Sequence, residues 1–120
     1  MELHLNIDAV KKNFIYFIET RPNVLFNGTF TKINYCNDFF TMYGLHIYIN
    51  NFNLESIARL ESSVLDAYSE HVGHSVIKSA KLVNDTKLSS NVHIKISGVW
   101  ENDNNEIGLS YKIKGTQVPL

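Results

Sequence analysis

Val92-His-Ile-Lys-Ile-Ser-Gly-Val-Trp100 is followed, across the polar stretch Glu101-Asn-Asp-Asn-Asn105, by Glu106-Ile-Gly-Leu-Ser-Tyr-Lys-Ile-Lys114. Both runs alternate. Val92, Ile94 and Ile96 fall on one side of the first, with His93, Lys95 and Ser97 on the other. In the second, Ile107, Leu109, Tyr111 and Ile113 oppose Ser110, Lys112 and Lys114. Successive side chains of a strand point to opposite faces. The pattern therefore predicts two half-buried strands, over 92–100 and 106–114, joined by an Asn/Asp hairpin loop.

Upstream lies the clearest helix, over 54–72. Ile57, Leu60, Val64, Leu65, Tyr68 and Val72 recur at helical spacing, and Glu55, Arg59, Ser62, Asp66 and Ser69 line the other side. Asn50-Asn-Phe-Asn53 offers a cap at its start, and Gly73 suits its left-handed end. Before it, residues 39–50 read as one strand, with Leu45, Ile47 and Ile49 facing one way and Phe40, Met42, His46 and Tyr48 the other. Residues 24–35 read as a strand with a bulge or bend at Gly28, and Cys36-Asn-Asp38 as a turn. Residues 13–20 favour a strand, although Val10, Phe14, Phe17 and Ile18 would also share a helix face after a cap at Asp8. Arg21-Pro-Asn23 reads as a turn. Residues 2–7 alternate as a short strand, residues 75–83 form another, and Asn84-Asp85 opens a polar loop.

Strands, helix, strands, with the helix between the third and fourth strands, is the order of the OB-fold. The expectation is mostly β with one central helix (α+β), as an OB-like five- to six-stranded antiparallel Greek-key barrel. An open α+β sheet with the helix on one face has the same order, and periodicity does not separate the two.

The 120 residues are expected to form a single domain, 1–120. Hydrophobic residues make up 44% and charged residues 19%, which excludes a disordered chain. A net charge of −1 excludes a polybasic binder but leaves room for positive charge gathered on one face. One cysteine, Cys36, excludes a disulfide framework and a cysteine-rich zinc module. No apolar run approaches the roughly 20 residues of a membrane helix. The expectation is an intracellular protein without membrane partners.

Catalytic constellations are weak. Cys36 has no activating signature around it, and the glycines are scattered singly rather than gathered into a phosphate cradle. His71 and His74 could offer two nitrogens to zinc but lack further ligands at useful spacing. The loop at 101–106 lacks the glycine and spaced glutamate of a calcium loop. The expectation is therefore no enzyme, no metal and no cofactor. Binding is better supported, because single strands are held by cations combined with aromatic faces on which bases stack. Lys32 shares its strand side with Phe26 and Phe30. Phe40, His46 and Tyr48 oppose the apolar side of 39–50, and His93, Lys95, Lys112 and Lys114 face outward on the hairpin.

Four stretches carry a family likeness: Phe26-Asn-Gly-Thr-Phe-Thr-Lys-Ile-Asn-Tyr-Cys36, Phe39-Phe-Thr-Met-Tyr-Gly-Leu-His-Ile-Tyr48, Ile94-Lys-Ile-Ser-Gly-Val-Trp-Glu101 and Ile107-Gly-Leu-Ser-Tyr-Lys112. Together they resemble a family of single-stranded-DNA-binding proteins of large eukaryotic DNA viruses, itself similar to the OB-fold replication proteins of phages. The resemblance covers roughly a third of the chain. It implies non-catalytic binding of single-stranded DNA with little sequence preference, in viral DNA replication or recombination in the host cytoplasm or nucleus. Replication proteins and a second copy of the chain are the further partners it implies. Where many such proteins carry an acidic tail, this sequence reads Lys114-Gly-Thr-Gln-Val-Pro-Leu120. Lys32, Lys95, Lys112 and Lys114 are the candidates for phosphate contact. Phe40, Tyr43, His46, Tyr48 and Trp100 are the candidates for contact with bases. The competing expectation is a small protein-interaction or dimerisation module acting through a sheet edge.

Overall fold

The alternating hairpin becomes the axis of the fold. A computed structural model describes residues 4–23, 27–49, 54–82 and 91–116. In it, β7 (Asn91–Asn102) and β8 (Glu106–Thr116) pair antiparallel, with Ile94 opposite Ile113 and Ile96 opposite Tyr111. The Asn102 side chain closes their turn, accepting the backbone N–H groups of Asn104 at 3.0 Å and Glu106 at 2.9 Å. A bulge between Ile96 and Gly98 shifts the register once.

That bulge divides β7 between two partners on its other edge. Residues 92–96 pair with β5 (Leu45–Ile49), and residues 98–102 pair with β3 (Gly28–Cys36). β3 also pairs with β2 (Ile15–Asn23) and, at its end, with β4 (Thr41–Tyr43). Two short strands run parallel to their neighbours: β1 (Leu5–Asn6) beside β5, and β6 (Ile77–Lys78) beside β8. The result is one mixed sheet of eight strands.

The fold is mostly β with one helix, an α+β class, and its sheet is open. It is not the closed antiparallel barrel of five or six strands expected from the order of elements. Among the described residues β1, β2 and β6 each pair on one side only, so the sheet has edges rather than a seam. β7 meets β3 and β5 end to end along a single edge, which extends the sheet instead of curling it shut.

Helix α1 (Leu54–Val72) has the expected bounds and crosses one face of this sheet, approaching β2 and β8. Ile57, Leu60, Val64, Leu65 and Tyr68 are buried against Ile33, Tyr35, Leu45, Ile47, Ile49, Val92, Ile94, Ile96, Val99, Ile107 and Leu109 in one core. Burying one such aliphatic side chain contributes about 1.5–3 kcal/mol. Periodicity did not flag Glu61, which is 1% exposed. Its carboxylate accepts the backbone N–H groups of Lys81 and Leu82, tying the chain after β6 to the helix. Gly73 takes φ 72° and closes the helix by donating its N–H to Ser69 O at 3.2 Å.

Several local expectations change. The continuous strand 39–50 is cut at Gly44, whose φ of 82° suits glycine. Alternation restarts there, so Met42 turns inward with Leu45 instead of opposing it. Arg21-Pro-Asn23 is not a turn but the end of β2, where an edge strand tolerates proline. Residues 7–9 and 12–14 are single 3₁₀ turns; of the strand expected over 2–7, residues 2 and 3 lie outside the described residues and Leu5–Asn6 is strand. Gly28 opens β3 rather than bending its interior, and among the described residues of the strand expected over 75–83 only Ile77–Lys78 is strand. The cap at Asn50–Asn53, the loop at Asn84-Asp85, residues 24–26 with Phe26, and the tail 117–120 lie outside the described residues.

Candidate nucleic-acid interface

With α1 over one face, pleating sends the intervening residues of each strand to the other face. Register then sets them in rows. One row runs Arg21, Phe30, Trp100 and Gly108, and the next runs Ile18, Lys32, Gly98 and Ser110. Beyond the bulge, His46 lies beside Lys95 and Lys95 beside Lys112. A last row holds Asn6, Tyr48, His93 and Lys114. Lys32, His46, Tyr48, Lys95, Trp100, Lys112 and Lys114, all singled out in the sequence, thus share one surface.

Two rings on this surface pack against glycines. A Cβ placed on Gly98 would come 2.7 Å from the Phe30 ring, and one on Gly108 would come 2.4 Å from the Trp100 ring. Each ring therefore covers a glycine, and both remain partly exposed. An aromatic packed over a glycine and still partly exposed leaves ring surface on which a base can stack. Beside Phe30 a groove of about 280 Å³ is lined by Ile18, Lys32, Tyr43, Lys95 and Ser97. Tyr43 is 76% exposed and stands at its rim. Beside Trp100 a second cleft, of about 550 Å³, is lined by Lys81, Ser110, Tyr111 and Glu106 among others.

Phe40 is placed elsewhere. Its ring stacks on the buried Tyr35, with centroids 6.3 Å apart and planes at 27°, and it packs against the core. The phase change at Gly44 is the cause. The neighbouring Phe39 is exposed in its place, at 91%. The Asn37 side chain holds that turn by accepting the N–H groups of Phe39 and Phe40.

Electrostatically the face differs from the whole chain. Among the described residues, Arg21, Lys32, Lys95, Lys112 and Lys114 stand against two carboxylates, Glu19 and Glu106. The chain's net −1 conceals this, because α1 carries Glu55, Asp66 and Glu70 on the far side with Arg59. Glu19 pairs with Arg21 and, at 3.3 Å, with Lys32. The Arg21 hydrogen bond first, and Lys32 second, hold its carboxyl below the usual value. Lys95, Lys112 and Lys114 have no ion pair among the described residues.

The remaining titratable contacts brace the fold. Tyr68 donates to Glu101 Oε1 at 2.9 Å, and His74 Nε2 lies 2.7 Å from Glu101 Oε2. Burial, with Glu101 beside it, pushes the Tyr68 phenol up. His71 packs on Phe17, with ring centroids 5.2 Å apart, so His71 and His74 serve separate contacts. The described residues contain no group of three or more His, Cys, Asp or Glu able to hold a metal. Cys36 Sγ faces Thr41 Oγ1 at 3.2 Å. No described helix is long and apolar enough to cross a membrane.

Sequence reasoning set Phe30 on the side of Lys32 and His93 on the outward face of the hairpin, but left both, with Arg21 and His4, out of the candidate site residues. Arg21 was hidden by reading its segment as a turn. No protein-family model, curated protein or solved structure matches the chain, so the likeness to viral single-strand binders stands on the quoted stretches alone.

Proposed function

We propose that the chain binds single-stranded DNA, without catalysis and with little sequence preference, across the sheet face opposite α1. The observation that carries this reading is the combination of partly exposed Phe30 and Trp100 rings, packed over glycines, with Lys32, Lys95, Lys112 and Lys114 on the sheet face opposite α1. Cations meet phosphates and rings stack bases, a pairing that tolerates any sequence because every base has a π-face. The ligand then lies on an open sheet rather than in a barrel groove.

Fluorescence anisotropy with labelled oligo-dT, duplex DNA and RNA at two salt concentrations tests the reading. Binding of oligo-dT that weakens with salt and exceeds duplex binding is the expected result. Equal affinity for duplex would reduce the site to nonspecific backbone contact, and no binding at low salt would remove nucleic acid as the ligand.

A second reading has one observation in its favour. β2 pairs only with β3 among the described residues and exposes Tyr16 at 51% and Ile18 at 38%. A sheet edge of this kind can take an added strand from a partner or a second copy. Sedimentation that shows a dimer dissociated by Ile18→Lys, with oligo-dT binding absent, would promote this reading over the first.

A further inference from the structure

The proposed DNA face carries, besides its lysines, a cluster of three histidines drawn from separate elements. His4 stands before β1, His46 on β5 and His93 on β7. The ring centroids of His4 and His93 are 4.7 Å apart, those of His4 and His46 5.9 Å, and those of Tyr48 and His93 4.8 Å. We infer that this cluster makes polyanion binding proton-coupled: His4, His46 and His93 take up protons as single-stranded DNA occupies the face, so that affinity rises as pH falls. The inference rests on the DNA-binding reading above and adds a regulatory property to the same surface.

Among the described residues, the groups that register sets beside His46 and His93 are cationic or uncharged. β7 places Lys95 beside His46, and β8 places Lys114 beside His93 and Lys112 beside Lys95. β5 contributes Tyr48, β1 contributes Asn6, and the backbone carbonyl of Tyr43 on β4 accepts from His46 Nε2 at 3.2 Å. That hydrogen bond keeps a proton on Nε2 and leaves Nδ1 to take the second one. The carboxylate lining the nearest groove is Glu19, and Arg21 and Lys32 engage it. With its carboxyl held below the usual range, Glu19 keeps its charge throughout the histidine window.

Histidine is the side chain that gains charge between about pH 5 and 8. A phosphate backbone laid across the face brings negative charge beside these rings, and opposite charge favours the protonated form. Protonation is then easier in the complex than in the free protein, and linkage requires that acidification strengthen binding. His93 adds a separate sign. Its Nδ1 is buried and has no hydrogen-bond partner among the described residues, a cost that turning the ring toward a bound anion would remove.

The test is anisotropy with oligo-dT carrying a pH-insensitive dye, in EDTA, at about pH 6 and about pH 8. Oligo-dT suits it because thymine does not titrate in this range. The expected result is affinity about tenfold or more higher at the lower pH. The slope of log affinity against log salt should also steepen by about 0.7 for each histidine charged in the complex. Calorimetry of the unaltered protein in buffers of different ionisation enthalpy should register net proton uptake on binding. In His4→Gln/His46→Gln/His93→Gln, affinities at the two pH values should agree within about twofold, against that tenfold difference. Pairwise variants serve if the triple variant fails to fold. Binding that is the same at both pH values, with no proton uptake, overturns the inference and leaves the DNA reading intact. A pH effect that survives in the triple variant overturns it as well, by assigning the protons elsewhere. Absence of binding at either pH overturns the DNA reading and this inference together.

Discussion

Glu19 is the residue whose removal should strengthen the protein's grip on DNA. It sits in the β2 bulge between Ile18 and Thr20, at φ 52°, and its carboxylate engages both Arg21 and Lys32. Because those cations hold its pKa below the usual 4.5, the stabilising contacts exist above that value and disappear only as pH falls through the lowered one. At neutral pH Glu19 therefore cancels charge that would otherwise meet phosphates. With Lys95, Lys112 and Lys114 alone, three contacts at 0.7 each give a salt slope of about −2.1 on a single strand. Between about 50 and 200 mM salt the affinity then falls about 18-fold. Glu19→Gln releases Arg21 and Lys32, the slope approaches about −3.5, and the same step in salt costs about 130-fold. Affinity at the lower salt should rise accordingly. The assay is anisotropy with oligo-dT over a salt series, with circular dichroism melts to confirm folding. Gln keeps the same backbone and nearly the same shape, so the melt should barely move. Glu55→Gln, on the exposed side of α1, is the control and should retain the parent slope. If Glu19→Gln leaves slope and affinity where they were, Arg21 and Lys32 do not meet phosphates, and the placement of the binding surface at the β2–β3 end is wrong.

Trp100→Ala should weaken oligo-dT binding by about 1–3 kcal/mol, the contribution of one stacked base, in an anisotropy titration; unchanged affinity in a folded variant would take the ring out of the site. Phe40→Ala should do the reverse, lowering the melting temperature through the lost contact with Tyr35 while affinity holds, whereas the exposed Phe39→Ala should leave the melt unchanged. Leu65→Ala, at a position 1% exposed under α1, should cost about 2–5 kcal/mol in denaturant unfolding, and a parent-like midpoint would mean that the helix is peripheral.

Periodicity alone determined a good deal. Apolar residues three and four apart set α1 at Leu54–Val72, because a helix of that length can hide its apolar side only against another layer. Alternation in 92–96 and 107–113 sorted isoleucines from lysines and histidines, and pleating carried that sorting straight into an inner and an outer face. The lysines of the candidate site were legible for this reason. Tertiary structure decided what alternation does not encode, namely which strand lies beside which. One bulge at 96–98 gives β7 two partners along a single edge, so the sheet lengthens and stays open where a barrel was expected. The left-handed turn at Gly44 resets the phase of a strand that reads as continuous, sending Phe40 to the core and Tyr43 to the groove. Glu61 and Glu101 look like surface charges in the sequence. They are drawn inward because Leu82 N–H and the Tyr68 hydroxyl, distant along the chain, need acceptors there. Local pattern fixes the side of a strand, while long-range pairing fixes its neighbours, and the binding surface is a property of the neighbours.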